Sequence, residues 1–125
     1  MLRDGEATAE VVPGLGGRLG QLDLGDGALL RPFERGLGWA HWGSYPLLPW
    51  SNRVPGGRIG VGGVDAVVPI TCEDGSAIHG LAADRPWRVV DATERVAELE
   101  VAIAVGPYGV RGRQRFELVD ACGQG

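Results

Sequence analysis

Residues 98–119 read ELEVAIAVGPYGVRGRQRFELV and contain the most regular pattern in the chain. Large apolar side chains occupy every second position from Leu99 to Val105, and charged or small residues occupy the positions between them. Such a period of two is typical of a β-strand with one buried face. Residues 106–109 (GPYG) are predicted to form a turn, and residues 110–119 to return as a second strand.

The predicted hairpin also sets a register for its two strands. If Val105 pairs with Val110, Leu99 faces Phe116 on the buried side and Glu100 faces Arg115 on the exposed side. The expected pairs are therefore Val105–Val110, Leu99–Phe116 and Glu100–Arg115. In this register the arginines at positions 111, 113 and 115 form a solvated stripe with at least one carboxylate partner. A stripe that binds nucleic acid is the alternative, and the net charge of −4 disfavours it.

Shorter segments with the same period occur along the rest of the chain and are separated by Gly and Pro. The predicted strands are residues 7–12, 18–24, 28–30, 58–61, 64–68 and 87–90. Tight turns are expected at residues 25–27 and at Gly62-Gly63. Repeated short strands with turn signals predict an all-β fold, an antiparallel β-sandwich or barrel. Residues 33–52 do not fit this pattern: they hold three of the four Trp and are interpreted as a functional loop or a lid over the sheet.

Length and composition restrict the class of protein. The 125 residues predict one domain, and the 44% hydrophobic content argues against disorder. All 12 basic residues are Arg, and an acidic chain without a basic run is a poor candidate for a nucleic-acid partner. No apolar stretch is long enough for a membrane span, and residues 1–6 do not resemble a signal peptide. We therefore expect no membrane partner and a cytoplasmic location.

The sequence offers no metal or nucleotide motif. Cys72 and Cys122 lack zinc-ligand spacing and are too few for a disulfide framework, so both are expected to be reduced thiols. Residues 14–17 (GLGG) do not match the Gly-x-Gly-x-x-Gly pattern, and no helix pattern follows them. No metal, dinucleotide or other cofactor is predicted.

Four segments together resemble the aldose 1-epimerase (galactose mutarotase) family. Residues 43–54 read GSYPLLPWSNRV and are followed by GR at 57–58; residues 77–81 read AIHGL, 84–87 DRPW and 114–118 QRFEL. The resemblance extends over residues 16–120. It implies a large antiparallel β-sandwich, of which residues 1–125 would be the N-terminal part of a single domain.

The resemblance also implies an activity and a partner. Members of this family interconvert the α and β anomers of free hexoses such as galactose or glucose, without a cofactor. The reaction needs a base at the anomeric hydroxyl and an acid at the ring oxygen, followed by ring opening and reclosure. A small-molecule aldose is therefore the expected partner, and the oligomeric state stays open.

The resemblance assigns roles to three residues. Asn52 and Arg53 would bind sugar hydroxyls, and His79 would be a catalytic, sugar-contacting histidine close to the ring oxygen. The structural alternatives are a loop-pinning role for Arg53 and an ordinary hydrogen-bonded loop position for His79. His41 matches no active-site position of the family.

In the resembling enzymes the general acid and the catalytic base follow the strand that corresponds to residues 114–118. The chain is therefore expected to be a truncated epimerase that carries the sugar-binding half-site and is inactive alone. Two other functions remain open. One is a carbohydrate-binding β-sandwich without catalysis, and the other is a relative acting on hexose 6-phosphates, with Arg58 or Arg85 on the phosphate.

Overall fold

The structure is a computed structural model that describes residues 1–119, apart from the side chain of Val61. Cys122, for which a reduced thiol is predicted, lies outside the described residues, as does the end of the family resemblance at Asp120. Within the described part of the chain, the helical structure consists of one 3₁₀ turn of three residues. No helix in this part is long enough to cross a membrane.

Ten strands and the 3₁₀ turn make up the regular structure of residues 1–119. In chain order these are β1 (Leu2–Asp4), β2 (Ala7–Val12), β3 (Arg18–Asp23), the turn Trp39–His41, β4 (Arg53–Pro55), β5 (Arg58–Val61), β6 (Val64–Val67), β7 (Ser76–Ile78), β8 (Arg88–Ala92), β9 (Val96–Val105) and β10 (Tyr108–Glu117). Two three-stranded sheets have the orders β1-β2-β3 and β10-β9-β8, and two ribbons pair β4 with β7 and β5 with β6. All of these strand pairs are antiparallel, which confirms the predicted all-β fold class.

The β9–β10 hairpin has the predicted strands but a different turn. Val105 pairs with Tyr108, so the loop contains only Gly106 and Pro107. Gly106 has φ +56°, as the first central residue of a type II′ turn requires, and this turn matches the twist of the two strands. The predicted four-residue turn and the predicted register are therefore wrong. The observed partners of Leu99 and Glu100 are Gln114 and Arg113.

The shift in register is two residues, and a shift of two leaves every side chain on its predicted face. Arg113 forms an ion pair with Glu100 (3.2 Å) and Arg115 forms one with Glu98 (3.2 Å). The arginine stripe is thus exposed, and two of its three members, Arg113 and Arg115, are paired with carboxylates, in agreement with the solvated-face interpretation.

The main core lies on the inner face of β9. Its alternating residues Leu99, Val101, Ile103 and Val105 are between 0% and 6% exposed. They form one cluster with the buried residues Ala66, Val68, Ala77, Ala82 and Trp87. A second cluster, of Leu2, Ala9 and Ala97, packs the first sheet against the start of β9. The β4–β7 ribbon is fixed to the main core through Ala77, which is completely buried.

Two groups of local predictions differ from the structure. Residues 28–30 do not form a strand: Asp23 accepts hydrogen bonds from the N–H groups of Gly25 (2.8 Å) and Gly27 (3.2 Å), and a single bridge joins Asp23 to Ala28. The three-residue strands β1, β4 and β7 were not predicted, because three residues are too few to show a period.

Candidate functional site

The β4–β7 ribbon brings Asn52, Arg53 and His79 to one end of the molecule. Arg53, the first residue of β4, pairs with Ile78, the last residue of β7. His79 follows directly, and its N–H donates a hydrogen bond to the carbonyl of Asn52 (3.0 Å). The two separate sequence motifs that suggested these residues are therefore neighbours in space.

The backbone at His79 and Gly80 is in the left-handed region. The φ of His79 is +64°, and among the described residues His79 is the only non-glycine with a positive φ. Gly80 has φ +74°, and a Cβ at this position would lie 2.2 Å from the carbonyl oxygen of Leu48. That oxygen accepts the N–H of Leu81 at 2.7 Å. A non-glycine residue in this region is a signal of a functional constraint, because the conformation costs free energy.

The imidazole of His79 is held in one tautomer. Its Nδ1 lies 2.9 Å from the carbonyl oxygen of Ser51. A carbonyl oxygen can only accept, so Nδ1 donates, and in the neutral ring Nε2 carries the lone pair. Nε2 is therefore the atom that takes or gives a proton at this site.

Two aromatic rings stand beside the imidazole. The ring centroid of Trp39 is 6.3 Å from that of His79, with an interplanar angle of 86°. The ring of Tyr45 is 6.4 Å from the same imidazole, and the Trp39 and Tyr45 rings meet edge to face at 5.6 Å. Burial raises the pKa of the Tyr45 hydroxyl, which donates a hydrogen bond to the carbonyl of Ala40 (3.0 Å).

Arg53 is half-exposed and forms an ion pair with Asp74, with 3.0 Å between Nε and Oδ2. The other carboxylate oxygen of Asp74 accepts the N–H (3.0 Å) and the hydroxyl (2.5 Å) of Ser76. The hydroxyl of Ser76 is the main cause that lowers the pKa of Asp74, and the Arg53 charge adds to it. Asp74 thus orients the Arg53 guanidinium, and part of that guanidinium remains accessible to a ligand.

Asn52 is exposed, and its backbone carbonyl accepts a hydrogen bond from the N–H of His79. Because Asn52 precedes β4, its position is set by this hydrogen bond and by the pairing of Arg53 with Ile78. The side-chain amide of Asn52 is at the surface of the same end of the ribbon.

A cleft of about 390 Å³ opens beside His79. Its walls are residues 38–41 and Tyr45 on one side, and residues 71–73 with Ile78 and His79 on the other. This volume is within the range usual for small-molecule sites. Arg53 shares a face of the ribbon with Ile78, since directly paired residues point to the same side. Arg53 and Asn52 are not themselves among the residues that line the cleft.

Several cleft residues were missed by sequence reasoning. Four of them line the cleft without belonging to a predicted site: Trp39, His41, Tyr45 and Glu73. His41 lines it although it matches no active-site position of the family. The available signal was the density of aromatic residues in 33–52, which indicated a functional loop without indicating which rings meet His79. Both histidines of the chain thus face one cleft.

A larger hollow of about 720 Å³ lies elsewhere, on the outer face of the β8–β10 sheet. It is lined by Arg85, Arg88, Glu100 and Arg111 among others, and by none of Asn52, Arg53 and His79. Arg88 in its wall is already paired with Glu100. We assign the candidate site to the smaller cleft, because its walls combine aromatic rings with a histidine of fixed tautomer. Asn52 and Arg53 lie beside it, at the end of the β4–β7 ribbon next to His79.

Within residues 1–119, no three His, Cys, Asp or Glu side chains are grouped closely enough to hold a metal ion. Cys72 in the cleft wall is half-buried and is a free thiol.

Comparison with known proteins identifies the family of the chain. Residues 1–121 match the model of the family described as aldose 1-epimerase. The crystal structure of a "putative aldose 1-epimerase" from Escherichia coli K12 has a TM-score of 0.78 and 26% sequence identity to the chain. The match covers 94% of this chain and 40% of that chain, so the sequence spans less than half of its relative's length. No curated protein matches the chain significantly. Because the family model covers nearly every residue, the chain belongs to the aldose 1-epimerase family.

Proposed function

We propose that this chain binds a free aldose in the cleft beside His79 and takes part in the interconversion of its α and β anomers. The observation that carries the proposal is the geometry of His79. Its ring is fixed by the Ser51 carbonyl and presents Nε2 as the proton-exchanging atom, next to two aromatic rings. Family membership supports the same conclusion.

The roles of the residues follow from the chemistry of anomer exchange. A base removes the proton of the anomeric hydroxyl, an acid protonates the ring oxygen, and the C1–O5 bond breaks. Rotation about C1–C2 followed by reclosure gives the other anomer. We assign His79 to the ring oxygen, where protonated Nε2 donates a hydrogen bond or a proton.

The remaining groups suit a sugar. The accessible part of the Arg53 guanidinium and the amide of Asn52 are oriented donors for hydroxyl groups. The faces of Trp39 and Tyr45 are suited to the apolar face of a pyranose ring. Asp74 supports Arg53 without occupying all of its donors.

A preference for hexose 6-phosphates has less support. Arg85 donates from Nε to the carbonyl of Leu81 (2.7 Å) and lines the outer hollow. Arg58 is on β5 and is exposed. Arg85 therefore belongs to a different hollow, and Arg58 to a different ribbon from Arg53 and His79, so a free aldose remains the proposed substrate.

The test is an NMR titration of the ¹⁵N-labelled chain with D-galactose and with D-glucose. We expect shifts confined to the residues of the cleft. His79→Gln and Arg53→Gln are each expected to raise the Kd about tenfold, since a hydrogen bond to a charged group contributes about 1.5–3 kcal/mol. Arg115→Gln is the control, because Arg115 is paired with Glu98 and Glu117 on the outer face of the sheet. The proposal fails if neither sugar shifts the cleft resonances, or if the three variants bind equally well.

A further inference from the structure

We propose that Arg18 is a positioning residue of the sugar site, whose buried guanidinium holds the aromatic wall of the cleft at a fixed spacing from His79. The proposal rests on the proposed function for its effect on sugar affinity. Its structural part stands on the contacts of Arg18 alone.

Arg18 is the most deeply buried charged residue described, with 1% of its surface exposed. Burying an ionised side chain is costly unless its donors are satisfied. Four backbone carbonyls accept hydrogen bonds from this guanidinium, at 2.7–3.0 Å: those of Leu15, Trp39, Trp42 and Ala83. Among the ion pairs of residues 1–119, none includes Arg18. The guanidinium therefore joins separate backbone segments through hydrogen bonds to their carbonyl groups.

Two aromatic rings complete the environment of the guanidinium. Its carbon Cζ is 4.2 Å from the ring centroid of Trp42 and 5.0 Å from that of Tyr45. At these distances the positive guanidinium is attracted to the negative faces of both rings. Burial is also the main cause that lowers the pKa of Arg18. Arg18 therefore fixes the ring of Tyr45 directly and the backbone of Trp39 through its carbonyl.

The same two residues, Trp39 and Tyr45, are the ones that meet the imidazole of His79. The fourth carbonyl, that of Ala83, belongs to the segment that follows His79 and Gly80. Arg18 thus joins the aromatic wall of the cleft to the chain segment that follows His79 and Gly80. We therefore expect the distance between the two rings and Nε2 of His79 to change when this side chain is replaced.

Lysine cannot replace arginine in this role. The planar guanidinium directs its donors in several directions within one plane and presents two faces to rings, whereas an ammonium group is a point charge with three donors. Arg18→Lys keeps the positive charge and loses part of the hydrogen bonds and the stacking. The variant therefore separates the geometry of the site from the presence of a charge.

The experiment compares the full chain with Arg18→Lys, Trp42→Leu and the control Arg95→Lys. Arg95 is an exposed residue that pairs with Asp4 (3.1 Å). Trp42 is buried, touches Arg18 and does not line the cleft. Three quantities are measured: the NOEs between the Tyr45 ring and the His79 imidazole without sugar, the Kd for D-galactose, and the amide hydrogen exchange of β9 and β10.

We expect Arg18→Lys to lose the Tyr45–His79 NOEs and to raise the Kd at least tenfold, with slow exchange in β9 and β10 retained. Trp42→Leu is expected to weaken the NOEs and raise the Kd about threefold, and Arg95→Lys to behave as the parent chain. Retention of the NOEs and the Kd in Arg18→Lys overturns the proposal. So does a loss that is accompanied by equally faster exchange throughout β9 and β10.

Two further outcomes are also decisive. If Arg18→Lys does not fold, Trp42→Leu decides: unchanged NOEs and Kd in this variant overturn the proposal, and their selective loss supports it. If the parent chain binds no galactose, the proposed function fails, and the NOEs alone decide whether Arg18 positions the wall.

Discussion

Gly80 lies against the backbone carbonyl of Leu48. Because the two segments are so close, adding a single methyl group at position 80 is predicted to destabilise the fold. Gly80→Ala places a Cβ 2.2 Å from that oxygen and also requires a positive φ. Gly56 has a similar φ, +64°, and nothing lies within 4 Å of its Cβ position. We expect Gly56→Ala to lower the free energy of unfolding by about 1 kcal/mol, from strain alone, and Gly80→Ala by about 3 kcal/mol or more.

Urea denaturation followed by Trp fluorescence measures both values. The difference between the two variants isolates the contact with Leu48, because the strain of the left-handed backbone is common to them. Equal losses in the two variants would contradict the close approach of the chains at this position.

The Asp74 carboxyl gives a prediction about pH. Its pKa is lowered chiefly by the hydroxyl of Ser76, with a smaller contribution from the Arg53 charge. A lowered folded-state pKa contributes stability above the ordinary Asp pKa, and this contribution is lost as the pH falls through the folded-state value. We expect Ser76→Ala to raise the pKa of Asp74 more than Arg53→Gln does. We also expect the free energy of unfolding of Ser76→Ala to fall less steeply as the pH is lowered.

A ¹³C NMR titration of the Asp74 carboxyl measures this difference. A larger change in Arg53→Gln than in Ser76→Ala would mean that the ion pair, and not the serine hydroxyl, is the principal influence on Asp74.

At the level of single elements, the β9–β10 hairpin is the part of the fold that depends most on one buried row. Leu99 is completely buried, whereas its neighbour across the strand pair, Val89 of β8, is 45% exposed. We expect Leu99→Ala to lower the free energy of unfolding by about 2–5 kcal/mol, because it leaves a cavity in the core. Val89→Ala is expected to change it by about 0.5 kcal/mol or less.

Thermal or urea unfolding of the two variants tests this expectation with a matched pair from one sheet. A comparable loss in Val89→Ala would show that β8 is covered in solution by a surface that the described residues do not include.

The elements also differ in how far they were predictable. The long strands β9 and β10 and the Gly62-Gly63 hairpin show clear periods or turn signals, and they were predicted. The register of β9 with β10 was not, because Gly106 with Pro107 forms a two-residue type II′ turn and the prediction took all of residues 106–109 as the loop. Strands β4 and β7 carry the candidate site and have no period of their own; their pairing is decided by Val54 and Ala77, which pack on the main core.

At the scale of the whole molecule, the cleft presents one proton-exchanging group of defined geometry, Nε2 of His79. Anomer exchange needs both an acid and a base. We therefore expect the 125-residue chain to bind an aldose and to leave the mutarotation rate of α-D-glucose at its buffer value. Polarimetry of a freshly dissolved anomer measures this rate.

An acceleration that His79→Gln abolishes would contradict this expectation. It would also locate the second group within the cleft, where Glu73 and His41 are the titratable candidates. A variant of each, Glu73→Gln and His41→Gln, would then identify which one completes the pair. Binding without acceleration would agree with the carbohydrate-binding alternative for the chain alone.

The sequence by itself determined the fold class and the principal buried row of β9, and it contains the two separate motifs that include Asn52-Arg53 and His79. These are local properties, since alternation, turn residues and short motifs are set by neighbours along the chain. Only the tertiary structure decided which aromatic rings stand beside His79 and which residue holds them. Trp39, Tyr45 and Arg18 come from separate segments, and the hydrogen bond from Arg18 to Ala83 joins residues 65 positions apart. No local pattern encodes that contact, because it forms only when the core of β9 has fixed both segments in place.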